Sequence, residues 1–274
     1  MFFNSIREEK RVFFDGKIKK YKIIGLLRVR NEELIIQDTL NHLSSFCDGI
    51  VVYDDASTDK TYEIICEHPS TLAVFRNKSW KIKIEERIVS ETIQRQRILK
   101  FAQETYNPEW FFCADADERY IGGIKDFVYS ENARSFDAFR ISLFDAYITS
   151  DDKEDYTSGP LLNFRKFFGP ERRDILMMFR SSCNPNFIGE IAREPQIDLH
   201  ARISTMFYCQ HYGKSISISQ WEETCDYYAK YFPYESYGKK WENRKGKAIH
   251  IISDFETSLF EWNEELFNNA IKIH

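Results

Sequence analysis

The sequence predicts an α/β protein with a mostly parallel sheet flanked by helices. From Tyr21 to about Tyr120, short apolar segments alternate with amphipathic helical patterns, as in a parallel sheet covered by helices. The chain has 274 residues, of which 43% are hydrophobic and 30% charged, so it can bury a full core. The alternation fades after Ile121, and strands joined by long loops are expected from there to about Gly213.

Three β-α steps and a closing strand are predicted in the first half. Buried strands read as short apolar runs, and helices show apolar residues at spacings of three and four. The strands are predicted in KIIGLLRV, DGIVVYDD, LAVF and EWFFCAD, and the helices in NEELIIQDTLNHL, STDKTYEIICE and ETIQRQRILKFAQET. Asn31 and Ser57 are the expected N-caps of the first two helices.

The second half is predicted to contain fewer regular elements. DAFRISLFDAYI is typical of a strand, and SISISQWEETCDYYAKYF of a helix. Ser219 and Glu222 have the spacing of a capping box at the start of that helix. The segment from Gly238 to the end is expected to be helical and to pack on the first half.

Charge and cysteine usage exclude several classes of protein. The formal net charge is -5, and a nucleic-acid surface normally shows clustered Lys and Arg, so no nucleic-acid partner is expected. The six cysteines lack zinc-site spacing and the density of a disulfide scaffold, and they indicate reduced, mostly buried thiols. No 18-residue apolar run is present, so no transmembrane segment is expected. These features predict a cytoplasmic protein, with peripheral membrane association through the N-terminal aromatic residues as the alternative.

Charged residues follow several of the predicted strands. EWFFCADADERY ends an apolar run in Asp115, Asp117 and Glu118, while Arg28 and Asp54 lie at the ends of two earlier strands. Ligands of open parallel sheets bind outside the carboxyl ends of the strands, so these groups are expected to share one crevice. Two carboxylates at i and i+2 can hold a hard divalent cation. An ordinary solvated turn is the alternative interpretation of such a D-x-D pattern.

Several segments together carry a more specific pattern. They are LLRVRNEELIIQDTLNHL, DGIVVYDDASTDKTYEII, QRQRILKFA and EWFFCADADER, followed less strongly by FIGEIAREP and HYGKSISISQWEETCDYYAKY. In order and spacing, they resemble the family 2 glycosyltransferases of GT-A fold. The chain departs from the family pattern at Ala56, where Gly is usual, at Gln96, where Asn is usual, and at Arg193, where His is usual.

The resemblance implies a GT-A fold, with a Rossmann-like, mostly parallel sheet and a C-terminal acceptor-side region. The expected organisation has an N-terminal extension over 1–20 and a nucleotide-sugar-binding half over 21–120. An acceptor-side half of the same domain follows over 121–237, and then a C-terminal helical segment over 238–274. The implied activity is metal-dependent transfer of a sugar from a nucleotide diphosphate to an acceptor hydroxyl, with inversion at the sugar.

The resemblance also implies roles for individual residues. Asp54 and Asp55 would contact the base and ribose, with Arg28 and Glu32 lining the same pocket, and Arg95 would approach the diphosphate or the metal loop. The implied donor-binding residues are Arg28, Glu32, Asp54, Asp55, Arg95 and Asp115, and the implied metal ligands are Asp115, Asp117 and His211. Mn²⁺ suits this ligand set at least as well as Mg²⁺. Local alternatives exist for several of them: a helix-dipole role for Glu32, a turn role for Asp55, a solvated position for Arg95 and a packed one for His211.

An inverting transfer needs a general base on the acceptor side. Glu194, which precedes Pro195 in an extended segment, is the first candidate, and Glu190 is the second. In the alternative interpretation, Glu194 is structural and pairs with Arg193 or Arg172. The expected partners are a UDP- or GDP-sugar donor and a glycan or glycolipid acceptor.

Two other functional classes fit part of the pattern. A nucleotidyltransferase also uses acidic metal ligands on such a sheet, but RVRNEE stands where its Gly-rich basic loop would follow the first strand. A catalytically silent carbohydrate-binding or scaffold protein could keep the fold without the chemistry. Intact Asp115, Asp117 and His211 favour the enzyme over that protein.

Overall fold

The computed structural model describes residues 8–14, 20–190 and 192–273. It is an α/β structure with a mixed sheet and flanking helices, which confirms the predicted fold class. The chain divides into two compact units, which we describe separately. The first unit comprises Met1–Ala116, Gly123–Arg140 and Leu176–Met206, and the second Asp117–Gly122, Ile141–Ile175 and Phe207–His274.

The regular elements alternate through the first part of the chain and become sparser later. The strands are β1 (Glu8–Val12), β2 (Ile23–Val29), β3 (Gly49–Asp54), β4 (Thr71–Asn77), β5 (Trp110–Ala114), β6 (Glu118–Ile121), β7 (Ala138–Tyr147), β8 (Phe167–Arg180), β9 (Ile203–His211), β10 (Phe260–Glu261) and β11 (Ile271–Lys272). The helices are α1 (Ile36–Ser44), α2 (Thr61–Glu67), α3 (Ile84–Tyr106), α4 (Ile124–Tyr129), α5 (Ile218–Tyr231), α6 (Lys239–Glu242) and α7 (Glu264–Asn268). Short 3-10 turns cover Glu131–Ser135 and Ser181–Cys183, and a π-helical turn covers Tyr234–Gly238.

The sheet of the first unit is parallel at its centre. Strand β2 pairs in parallel with β3 and β5, and β3 pairs in parallel with β4. Antiparallel neighbours lie on both sides, because β1 pairs with β4 and the end of β8 pairs with β5. All four strands predicted here are confirmed, whereas β1 is an edge strand that the sequence pattern did not reveal.

The core of the first unit forms where α3 packs on the central strands. Apolar residues of β2, β3 and β5 are fully buried, since alternate side chains of these strands face helices on both sides of the sheet. Ile98, Leu99 and Ala102 of α3 join the same apolar cluster as Val51 and Phe111. This packing fixes the carboxyl ends of the strands, where the charged residues follow.

The predicted helix caps are wrong for the first two helices. Helix α1 begins at Ile36 and α2 at Thr61, both later than expected, and neither has a side-chain cap. Asn31 instead adopts a left-handed conformation with φ of 55°. Its backbone N–H donates to Ser57 Oγ at 2.9 Å, and its side-chain oxygen accepts from Thr58 N at 2.8 Å. The two polar residues therefore join the loops after β2 and β3 rather than starting helices.

The second unit contains an aromatic cluster and several short strand pairings. Phe144, Phe168 and Trp262 pack edge to face, and Tyr208 stacks on Phe267 with ring centroids 4.5 Å apart. Strands β10 and β11 both pair with β8, and β6 pairs antiparallel with β9.

Two expectations for the second unit are corrected in detail. Helix α5 is present, but its N-cap is Ser217, whose side chain accepts from Gln220 N, and not Ser219. Over the described residues 238–273, the regular elements after the π-helical turn are the short helices α6 and α7 and two-residue strands, so this part is not continuously helical. Frequent Gly, Ser and Asn residues there favour turns over helix propagation.

Three further observations concern sequence expectations. Four of the six cysteines are buried and all six are free thiols, as predicted. Within the described residues, the structure has no helix that is long and apolar enough to cross a membrane. Phe2, Phe3 and Ile6, on which the membrane-surface alternative partly rests, lie outside the described residues.

Ala56 provides a first stability prediction. It occupies the left-handed region with φ of 58°, at the position where the resembling family has Gly. A β-carbon in this region costs roughly 1–2 kcal/mol, part of which is offset by the greater unfolded-state entropy of glycine. We therefore expect Ala56→Gly to raise the free energy of unfolding by about 0.5–1 kcal/mol, measured by urea denaturation. Ala102→Gly, within α3, is the matched control and should lower it by about 1 kcal/mol; a loss in both variants would contradict the strain.

Candidate functional site

Charged and amide side chains from four separate segments meet in the first unit. Arg28, near the end of β2, donates from Nη2 to Asp55 Oδ2 at 3.0 Å and from Nε to Gln94 Oε1 at 2.6 Å. Asp55 also accepts from Gln94 Nε2 at 2.8 Å and from Asn77 Nδ2 at 2.7 Å. Because Asp55 is only 1% exposed, these donors compensate for the cost of burying its charge.

Asp54 is the other predicted contact to the nucleoside, and it is fully buried. It accepts from Ser57 N at 3.2 Å and forms an ion pair with Arg76 Nε at 3.1 Å. Burial raises the pKa of Asp54, while the Ser57 and Arg76 contacts oppose that rise. For Asp54 or Asp55 to contact the nucleotide-sugar donor directly, these hydrogen bonds and ion pairs would have to rearrange. The predicted contact of the two carboxylates with the nucleoside therefore remains a prediction.

Arginines surround Asp115 at the end of β5. Arg193 forms an ion pair with Asp115 Oδ2, and Arg95 Nη2 lies 3.4 Å from Oδ1. Burial lowers the pKa of Arg95, and the Asp115 charge partly opposes this effect. Arg28, Arg95 and Arg193 all line one small cavity with Asp115. Its free volume of about 10 Å³ admits about one water molecule, so three guanidinium groups lie together in a nearly closed hollow.

A larger cleft opens at the carboxyl ends of β2, β3 and β4. Its volume is about 430 Å³, which lies in the range of small-molecule sites. The lining residues are Glu9, Arg30, Ala56, Ser57, Thr58, Arg76, Asn77, Lys78, Ser79 and Trp80. The Arg30 guanidinium lies 4.2 Å from the centre of the Trp80 ring. Asn77 lines this cleft and bonds Asp55, which bonds Arg28, so a hydrogen-bonded chain links the cleft to the arginine cavity.

The candidate bases lie in the segment after β8. Arg140 binds both oxygens of Glu194, with Nη1–Oε2 and Nη2–Oε1 distances of 2.9 and 2.7 Å. The structure therefore gives Glu194 the partner Arg140, which is neither of the two, Arg193 and Arg172, that the structural alternative named. Glu190 is exposed, and Ile191 next to it lies outside the described residues.

Glu32 lies in the loop between β2 and α1. It is half-buried, and its backbone N–H donates to Thr61 Oγ1 at 2.7 Å. That bond ties the loop to the start of α2. The predicted contact of the Glu32 side chain with a donor remains a prediction.

The second unit brings together Asp117 and His211. Pairing of Glu118 with His211 between β6 and β9 places Asp117, which precedes β6, beside the end of β9. Tyr212 N also donates to Asp117 O at 2.8 Å. As a result, His211 Nε2 lies 3.4 Å from Asp117 Oδ2.

A second acid, Asp145 of β7, lies on the other side of the His211 imidazole from Asp117. Its Oδ1 is 2.6 Å from His211 Nδ1 and 2.6 Å from Arg173 Nη2, and its Oδ2 is 3.1 Å from Lys214 Nζ. Burial raises the pKa of Asp145, but the charges of Lys214, His211 and Arg173 hold it well below its ordinary value. For His211, burial lowers the pKa, but the charges of Asp117 and Asp145 raise it to about 9.

A cation bound by Asp117 and His211 would lie beside Gly213. A Cβ at Gly213 would come within 2.7 Å of Asp117 Oδ2 and 2.8 Å of His211 Nε2. Gly213 therefore packs closely against one carboxylate oxygen and one imidazole nitrogen, a donor pair suited to Mn²⁺ or Mg²⁺. Throughout the described ranges, no group of three or more His, Cys, Asp or Glu residues is arranged to hold a metal ion. The predicted ligand Asp115 belongs to the first unit, and its role remains a prediction.

Several residues of these clusters were not found from the sequence. Asn77 and Arg140 are bonded to predicted site residues, but nothing in their local sequence signals it. Gln94, which bonds Asp55, begins the segment QRQRILKFA that carries part of the family resemblance. Lys214 could have been noticed, since it directly follows His211, Tyr212 and Gly213. Trp80 lies in a polar loop after β4, where an aromatic residue is a reasonable signal for a binding surface.

Comparisons with known proteins give limited matches. No protein-family model matches the chain. Uncharacterized proteins of Mycobacterium bovis and Mycobacterium tuberculosis are each 30% identical to it over 96 residues, which is 35% of this chain and 23% of each relative. The match therefore spans about a quarter of the length of those relatives.

Two solved structures are similar to parts of the chain. One is glucosyl-3-phosphoglycerate synthase from Mycobacterium tuberculosis in complex with Mn²⁺, UDP and glucosyl-3-phosphoglycerate, with 17% identity and a TM-score of 0.30 over 46% of this chain and 44% of that one. The other is 4-diphosphocytidyl-2C-methyl-D-erythritol synthase from Anaerococcus prevotii, with 12% identity and a TM-score of 0.35 over 60% of this chain and 73% of that one.

Proposed function

We propose that the chain is a metal-dependent glycosyltransferase that uses a UDP- or GDP-sugar and transfers the sugar to a hydroxyl of a glycan or glycolipid. One observation carries this proposal: residues far apart in sequence converge at the carboxyl ends of parallel strands. Arg28, Asp55 and Gln94 form one bonded network, and Arg95 pairs with Asp115 beside it. These residues come from the separate segments on which the family resemblance rests.

The nucleoside of the donor would occupy the larger cleft. Trp80 lines this cleft with the Arg30 guanidinium 4.2 Å from its ring centre, so the base would replace Arg30 on the ring. Stacking of a base on an aromatic ring is worth about 1–3 kcal/mol. The hydrogen-bonded chain from Asn77 through Asp55 to Arg28 would lie along the ribose. Glu32 belongs to the same proposed donor region.

The diphosphate would lie on the guanidinium groups of Arg28, Arg95 and Arg193. Arginine binds phosphate oxygens through parallel N–H donors, and here the three groups are held by the acids Asp55, Glu91 and Asp115. Binding would need Arg193 to move, because the cavity admits about one water molecule, with a free volume of about 10 Å³. Exchange of its Asp115 partner for phosphate is the simplest way to open that space.

Asp117 and His211 are the proposed metal ligands in the second unit. The family resemblance implies Asp115 as a further ligand. A bound Mn²⁺ or Mg²⁺ would supply charge neutralisation for the diphosphate as it leaves. On the acceptor side, Glu194 would take the proton of the attacking hydroxyl. Arg140 donates one hydrogen bond to each carboxylate oxygen of Glu194. Each oxygen keeps a further lone pair that can accept from the hydroxyl.

Nucleotide binding tests the proposal directly. At a hundred times its dissociation constant, UDP or GDP should stabilise the protein by about 2.7 kcal/mol, a rise in Tm of roughly 5–10 °C that depends on Mn²⁺. No change in Tm with either nucleoside diphosphate, with or without Mn²⁺, would contradict the proposal.

Variants assign the two parts of the donor site. Trp80→Ala should weaken uridine or guanosine and the matching diphosphate alike, about tenfold or more, whereas Arg95→Gln should weaken only the diphosphate. The matched control is Arg97→Gln, on the same helix, because Arg97 is half-exposed and pairs with Glu8. Calorimetric titration of each variant gives these affinities, and equal losses in the Arg95 and Arg97 variants would remove Arg95 from the site.

A further inference from the structure

The imidazole of His211 lies between two carboxylates, one on each ring nitrogen. Nδ1 is 2.6 Å from Asp145 Oδ1, and Nε2 is 3.4 Å from Asp117 Oδ2. Of the two nitrogens, Nε2 is the one that lies beside Asp117 and Gly213. The two carboxylates therefore have different relations to a cation bound at Nε2.

The surroundings of Asp145 make it an acceptor. Arg173 Nη2 donates to Oδ1 at 2.6 Å, and Lys214 Nζ forms an ion pair with Oδ2 at 3.1 Å. Neither group can accept a hydrogen bond, and with two cations beside it the carboxyl stays ionised and cannot donate. The remaining contact at Oδ1 must therefore be a donation from His211 Nδ1. Arg173 Nη2 also lies 3.2 Å from Nδ1, but a guanidinium only donates. It could bond Nδ1 only if Nδ1 carried no hydrogen, and that would leave two acceptors, Nδ1 and Asp145 Oδ1, 2.6 Å apart.

A hydrogen on Nδ1 determines what the other nitrogen can do. In a neutral imidazole one nitrogen carries the hydrogen and the other has the lone pair. With Nδ1 donating to Asp145, the lone pair of a neutral His211 lies on Nε2, which faces Asp117. Metal-bound histidines commonly donate their second N–H to a carboxylate in this way, which fixes the ring and increases its basicity.

We propose that Asp145 is a positioning residue that orients His211 and fixes its tautomer, so that Nε2 can bind a divalent cation together with Asp117. The proposal rests on the proposed function, because it concerns the same cation. Asp145 itself does not touch the cation or the donor. Arg173 and Lys214 hold Asp145 in turn, so the orienting contact is part of a built network within the second unit.

Titration with Mn²⁺, followed by the electron paramagnetic resonance signal of the free ion, tests the proposal without any transfer assay. Asp145→Asn should weaken Mn²⁺ binding about 10–100-fold, the usual effect of losing such an outer contact, and Asp145→Glu should restore part of it. Asp117→Asn should abolish binding, and His211→Ala should weaken it. Wild-type affinity in Asp145→Asn would overturn the proposal.

The double variant separates orientation from a general structural effect. If Asp145 acts through the imidazole, Asp145→Asn should cause no further loss of affinity when His211 is already Ala. An equal loss in both backgrounds would overturn the proposal, since Asp145 would then act through the fold. If wild-type protein binds no Mn²⁺, the metal site of the proposed function fails and this proposal fails with it, an outcome distinct from binding that is insensitive to Asp145.

The tautomer can also be read in the wild-type protein, so the test does not depend on a variant that folds. Long-range ¹H–¹⁵N correlation spectra report which ring nitrogen carries the hydrogen, and comparison with His211→Ala assigns the signal. In the presence of saturating Mg²⁺, which is diamagnetic, Nδ1 should carry the hydrogen and Nε2 should not. A hydrogen on Nε2 with a bare Nδ1 would overturn the proposal.

Discussion

Glu194→Gln is expected to slow sugar transfer about 10²–10⁴-fold while the affinity for the nucleotide-sugar donor stays at the wild-type value. The amide keeps the shape of the side chain but cannot accept a proton from the attacking hydroxyl. The proposed donor contacts in the first unit come from the strand ends, α3 and Arg193, and none of them uses this carboxylate. The measurements are the rate of transfer to an acceptor and calorimetric titration of the donor.

The pairing of Glu194 with Arg140 supplies the control. Both side chains are about one-third exposed, so screening limits the stabilisation from their ion pair to about 1 kcal/mol. Arg140→Gln removes the same ion pair but keeps the candidate base, and it should retain much more activity than Glu194→Gln. Equal activity losses in the two variants would show that the ion pair, and not the base, is what matters. Transfer at the wild-type rate by Glu194→Gln would make Glu190 the next residue to test.

The strands of the first unit could be predicted because their burial is written in local sequence. Segments such as Ile23–Val29 and Gly49–Asp54 are buried along almost their whole length, and continuous apolar runs are typical of such strands. Helix starts could not be predicted as well. Asn31 and Ser57 have the right chemistry for caps, but each bonds the loop of the other, a contact between segments that no local pattern contains.

The same distinction explains what was found of the candidate site. Acids and arginines at strand ends predicted convergence, because the topology of a parallel sheet brings those ends together. The partners are set by tertiary geometry: the arginine beside Glu194 is Arg140, which is 54 residues away in sequence. Asp145 is also invisible locally, since an acid inside a strand pattern ordinarily indicates an outward, solvated side chain.

Lys214 shows how strongly such unpredicted partners can matter. It is 8% exposed, and its ammonium group lies 3.1 Å from Asp145 Oδ2, 2.5 Å from Asp254 Oδ2 and 3.1 Å from Tyr147 Oη. Burial lowers the pKa of Lys214, but Asp145, Tyr147 and Asp254 raise it above its ordinary value. The lysine therefore stays charged and compensates two acids at once.

Lys214→Met is accordingly expected to lower the free energy of unfolding by about 3 kcal/mol. Removing one member of a buried ion pair typically costs about 3–5 kcal/mol, and the lower end applies here because Arg173 and Arg244 remain beside the two acids. Urea denaturation at neutral pH measures the loss. The control is Lys245→Met, in the same unit, because the Lys245 side chain is 42% exposed and pairs with Asp226, so it should lose less than about 1 kcal/mol. A similar small loss for Lys214→Met would mean that the two arginines compensate the acids alone, and that Asp145 does not need Lys214 to remain an ionised acceptor for His211.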